Sequence, residues 1–109
     1  MIEAKSLSHI QKEIDENVGV LLYFSTPTCN VCKALKPKIN KDFANNFPLI
    51  KQIFIDSSIL PEVAAHFRVF SVPTIILFLD KKEFLREGRN VSISLLNQKV
   101  KRVYDILIN

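Results

Sequence analysis

Glycine is scarce in this 109-residue chain, two in all, and tryptophan is absent. So little glycine, with 48% hydrophobic and 24% charged residues, excludes a linker-rich or disordered chain, and no internal repeat or low-complexity tract is found. A chain of this length is expected to fold as one domain, residues 1–109, with a core that needs neither metal nor extra disulfides. Histidine is limited to His9 and His66, far apart and in separate predicted helices, so a four-ligand zinc site with the two cysteines lacks its usual spacing. Met1 to Ile10 has no basic segment followed by a long apolar stretch. Neither a signal peptide nor a membrane span is expected, and the cytoplasm is the expected compartment. The net charge is +4, yet the lysines are spread out and no dense basic block with interleaved aromatics occurs. Nucleic acid is therefore not an expected partner. The tightest basic group, Lys99, Lys101 and Arg102, reads as the solvated face of the last helix.

What is present alternates strand with helix. Ile2–Ala4 reads as a short edge strand, and Leu7, Ile10 and Ile14 recur at helical spacing behind serines able to cap. Val20–Phe24 is an apolar run of strand length, and Leu35, Ile39 and Phe43 recur every four residues along a helix from Cys29 to about Asn46. Pro37 lies inside that helix and predicts a kink between Lys33 and Pro37. Leu49–Asp56 reads as a second central strand, Pro61–Phe67 as a short helix with proline in its first turn, and Thr74–Leu79 as an apolar strand. It turns at Asp80-Lys81-Lys82 into a return strand, Glu83–Arg86, and a final helix spans about Ser92 to Ile108. The predicted order is β-α-β-α-β-α-β-β-α: an α/β fold with a mixed sheet and helices on both faces.

Both cysteines fall in Cys29-Asn30-Val31-Cys32, where Ser25-Thr26-Pro27-Thr28 carries the strand into the helix. Two thiols so spaced at a helix start can close a small disulfide ring, and the helix dipole favours the thiolate of the first. Lys33 and Lys36 in the first turns add modestly to the positive potential. A structural metal site, a permanent structural disulfide and two thiols serving only as core residues are the other readings. They weigh less than redox chemistry, because further ligands are missing, so short a loop constrains little of the unfolded chain, and Asn30 is polar. His66 and His9 read as surface or capping residues, and Asp56 as a cap or turn at a strand end.

With these elements in place the chain resembles the thioredoxin-like family along nearly its whole length. The resemblance rests on the C-x-x-C, on Lys33 and Pro37 after it, on Phe67-Arg68-Val69-Phe70-Ser71-Val72-Pro73-Thr74, and on the late Gly88. It implies a thioredoxin fold with a mixed four- to five-stranded sheet and a cis Val72–Pro73 bond against the dithiol. It implies that Cys29 attacks substrate disulfides and Cys32 resolves the mixed disulfide, with Pro73 and Lys33 in support. Thr28, Asn30, Val31, Val72 and Gly88 would line the docking surface, the Val72 backbone pairing with an extended substrate segment. No cofactor is implied beyond the redox-active Cys29–Cys32 disulfide. The implied partners are disulfide-containing protein substrates and an upstream thiol reductant or reductase, acting on a monomer. Departures are specific: Thr28 replaces the family's tryptophan, Asn30-Val31 its Gly-Pro, and Tyr23 and Gln52 its buried aspartate and lysine. Two competing readings are a non-enzymatic binding module or redox sensor and a thiolate metal or cluster carrier.

Overall fold

The computed structural model describes residues 1–109. Its elements are β1 (Ile2–Glu3), α1 (Leu7–Glu16), β2 (Gly19–Ser25), α2 (Asn30–Asn46), β3 (Ile50–Asp56), α3 (Pro61–His66), β4 (Thr74–Leu79), β5 (Lys82–Glu87) and α4 (Ile93–Ile108). This is the order read from the sequence. The five strands lie in the order β1-β3-β2-β4-β5, with β1, β3 and β2 parallel and the β4–β5 hairpin antiparallel.

All seven residues of β2 are buried, which explains a continuous apolar run in place of alternation. Its side chains serve two cores in turn. Val20, Leu22 and Phe24 pack with Ile10 and Ile14 of α1 and Val63 and Ala64 of α3. Leu21 and Tyr23 face Cys32, Ile39 and Phe43 of α2 and Leu96, Val100 and Tyr104 of α4.

The helix starts follow local chemistry. Ser6 caps α1 by accepting from the His9 N–H at 3.1 Å, and Ser92 caps α4 by accepting from Leu95 at 3.3 Å. Proline opens α3. Pro37 removes one intrahelical donor from α2 without ending it, and the helix continues to Asn46. In the β4–β5 turn Asp80 and Lys81 take φ of 52° and 69°, the left-handed pair that matches strand twist.

The start of β2 admits no side chain. A Cβ on Gly19 would stand 2.9 Å from both Ile50 Cγ1 and Leu79 Cδ2, with the Phe78 carbonyl at 3.3 Å. Gly19→Ala is therefore expected to destabilise the fold by about 1–3 kcal/mol through overpacking. Urea unfolding measures this, and an unchanged midpoint would remove the steric argument.

Candidate active site

Strand register gathers the site at one end of the sheet. Phe24 lies beside Thr74 and Ile75 beside Glu87, so the loop leaving β2, the loop entering β4 and the loop leaving β5 emerge together. The first carries Thr28 and Cys29, the second Val72 and Pro73, the third Gly88.

Cys29 is the N-cap of α2. Its backbone is extended, with φ −86° and ψ 101°, and its Sγ accepts a hydrogen bond from the Cys32 N–H at 3.2 Å. Its own N–H donates to the Thr26 carbonyl at 3.2 Å, which tightens the turn out of β2. The unpaired N–H groups of a helix start carry partial positive charge, so in the reduced chain a negative Sγ at this cap is favoured over a neutral one. Cys29 and Cys32 form a disulfide with Cα atoms 5.3 Å apart. Cys29 is half-buried, whereas Cys32 is 1% exposed within the core. Thr28, Asn30 and Val31 are exposed around them. Lys33 is exposed on the first turn, and Lys36 holds its Nζ 4.1 Å from the centre of the Phe54 ring.

The Val72–Pro73 bond is cis, as the resemblance implies, and Pro73 is buried. Thr74 Oγ1 donates to the Ser71 carbonyl at 2.6 Å and holds this loop closed. Val72 is half-buried and packs against both cores. Gly88 is exposed with its Cα side open, since a Cβ there would meet only the Pro73 carbonyl at 3.9 Å.

Behind the dithiol the chemistry is neutral. Tyr23 is fully buried and donates its hydroxyl to the Cys32 carbonyl at 2.7 Å. Burial pushes its pKa up to about 12, so it is a protonated donor, not a base, near neutrality. Gln52 donates Nε2 to the Asn40 carbonyl at 3.2 Å, while its buried Oε1 has no partner. Neither residue supplies a charge where the resemblance implies an ion pair.

One neighbour of the site carries no signal in the sequence. Phe70, on the loop before Pro73, is 89% exposed and projects from the surface beside Arg68 and Gly88. Apolar side chains in so apolar a chain read as core, and only the loop's conformation turns this one outward.

Residues 2–102 match the thioredoxin family model. The chain belongs to the thioredoxin family. It is 42% identical over 99 residues to the thioredoxin-like protein YdfQ of Bacillus subtilis, covering 91% of this chain and 88% of that one. Thioredoxin 1 of Thermosipho africanus superimposes with a TM-score of 0.73 at 36% identity, over 83% of this chain and 99% of that one. Oxidised mitochondrial thioredoxin 3 of Saccharomyces cerevisiae gives a TM-score of 0.82 at 21% identity, over 94% of each chain, and shares the fold. Membership with a disulfide-forming cysteine pair supports thiol–disulfide oxidoreductase activity in general. No helix is long and apolar enough to cross a membrane.

The buried phenol makes a testable statement about alkali. A folded-state pKa raised from 10 to about 12 means that the stabilisation is whole below pH 10 and is lost as pH rises towards 12. In a Cys29→Ser/Cys32→Ser background, which keeps thiols out of the titration, about 2 kcal/mol is expected to disappear by pH 11.5. Adding Tyr23→Phe should cost about 1 kcal/mol at neutral pH and flatten this alkaline loss. Urea midpoints at pH 8 and 11.5 measure both, and an equal alkaline loss with phenylalanine would place the titrating group elsewhere.

Proposed function

We propose that this thioredoxin-family protein reduces disulfides of protein substrates by dithiol exchange through Cys29 and Cys32, with a narrower substrate range than a general thioredoxin. The observation that carries the reading is the asymmetry of the pair, a half-exposed Cys29 capping α2 and a buried Cys32 one turn inside it. In the reduced chain the Cys29 thiolate attacks one sulfur of the substrate disulfide, and the other substrate sulfur leaves as a thiolate. Cys32, after losing its proton, attacks Cys29 Sγ and expels the second substrate sulfur. The substrate ends two electrons and two protons richer, and the chain holds the Cys29–Cys32 disulfide. An upstream thiol reductant or reductase returns the dithiol, so no further cofactor enters the cycle.

Pro73 beside Gly88 supports a docking rim on which the Val72 backbone pairs with an extended substrate segment, flanked by Thr28, Asn30 and Val31. Lys33 adds a screened positive charge at the helix start. Two features support the narrow range and a slow second step. Thr28 offers little of the contact area of an aromatic side chain. Tyr23, protonated up to about pH 12, accepts no proton from Cys32, so that proton passes to water or to the departing substrate. We place the protein in the cytoplasm as a monomer.

The test is substrate capture combined with redox equilibration. Cys32→Ser is expected to accumulate mixed disulfides with protein substrates, whereas Cys29→Ser loses reduction by roughly 100-fold or more. Reduction that survives Cys29→Ser removes the nucleophile assigned here. Partner binding and phenotype that survive Cys29→Ser/Cys32→Ser would assign the fold to a binding module instead. In stopped flow, mixed-disulfide resolution is expected to run slower than in a thioredoxin that keeps the buried aspartate. Equal rates would show that the missing carboxylate is immaterial.

A further inference from the structure

A groove runs away from the dithiol along α2. Val31, Ala34, Leu35 and Lys38 recur at the spacing that puts them on one face of the helix, and Arg89, Val91 and Ile93 face them from the segment entering α4. Together they line an open groove of about 360 Å³, enough for a leucine-sized side chain with its neighbours. One end opens on the redox site, because Val31 stands between the two cysteines and Arg89 follows Gly88.

The charges of the groove have one sign. Lys38 and Arg89 are exposed, pair with no carboxylate, and no acidic residue lines the cavity. The carboxylates nearest in the chain are engaged elsewhere. Glu87 faces Lys99 at 3.9 Å, Glu83 holds Arg86 at 2.9 Å, and Asp42 accepts from Asn97 at 3.2 Å. An apolar floor with two unpaired cations suits an extended segment that presents an apolar side chain followed by carboxylates.

We propose that this groove binds the substrate segment adjoining the disulfide and selects protein substrates with an apolar residue followed by acidic residues beside the reactive cysteine, Lys38 and Arg89 being the specificity-determining residues. The proposal rests on the thiol–disulfide exchange proposed above and names its substrate class. Because both cations are exposed, the preference acts through encounter and KM more than through the chemical step, and salt weakens it.

Two peptides with one internal disulfide each, differing only in Leu-Glu-Glu or Leu-Lys-Lys after the second cysteine, test this. Binding to the oxidised full-length chain, followed by NMR, separates docking from exchange. The acidic peptide is expected to bind about tenfold tighter at low salt, shifting the amides of Val31, Leu35 and Val91, and to lose that lead in 0.5 M salt. Lys38→Glu/Arg89→Glu should reverse the order, and the milder Lys38→Gln/Arg89→Gln should abolish it. With reduced chain, kcat/KM is expected to follow the same ranking through KM. Equal binding of the two peptides, a preference that survives charge reversal, or shifts confined to another face would overturn the groove. A chain that prefers the acidic peptide yet reduces neither peptide would overturn the exchange reading and leave the groove as a binding site alone.

Discussion

The double burial of β2 is the constraint on which the rest depends. The strand pairs on one side with β3 and on the other with β4, and its side chains alternate between two cores. A slip of one residue would exchange the two sets and leave both cores misfilled, so the register is fixed. Once it is fixed, so is Ser25 at the strand's end, and four residues later Cys29 caps α2. The same pairing fixes the other half of the site. Phe24 opposes Thr74, so the residue before Thr74, Pro73, is held at the end of the sheet where α2 begins. Cys29 and the proline loop are thus brought to the same end of the sheet by one buried strand, and local hydrogen bonds from Cys29 and Thr74 then set their turns.

Most of this frame is legible in the sequence because its signals are local. The runs at 20–24 and 74–79, the four-residue recurrence of Leu35, Ile39 and Phe43, and the serine at 6 each report on their immediate neighbours. Pro73 is legible only in its setting, after Phe67–Val72 and before an apolar strand. What escapes the sequence depends on convergence. The groove joins residues 31–38 to residues 89–93, segments that share no local pattern, and the outward turn of Phe70 is a property of its loop. The Tyr23–Cys32 hydrogen bond is of the same kind, since a tyrosine in an apolar run does not announce which carbonyl its hydroxyl will reach.

Tyr23 and Gln52 show how a buried polar pair is replaced. A buried carboxylate and ammonium must both be present or both absent, because either alone is an uncompensated charge in the core. The neutral solution found here is well satisfied on one side only. The Tyr23 hydroxyl has its acceptor, whereas the Gln52 carboxamide donates to Asn40 and its Oε1 meets no donor from the chain. Sequence alone identifies the loss of charge; the uneven satisfaction of its replacement requires the packing.

A neutral interior and a cationic rim divide the work of the site. Tyr23 and Gln52 behind Cys32 carry no charge near neutral pH, so in the proposed exchange they give the second thiol no help through proton transfer. In the proposed exchange, differences between substrates arise where substrates would touch the chain, at the exposed Thr28, Asn30 and Val31 and along the α2 groove. An exchange reaction that depends little on internal acid–base help depends correspondingly more on how long and in what pose the substrate is held. The proposed exchange thus places selectivity in docking, with the dithiol as a common chemical step for every substrate that docks.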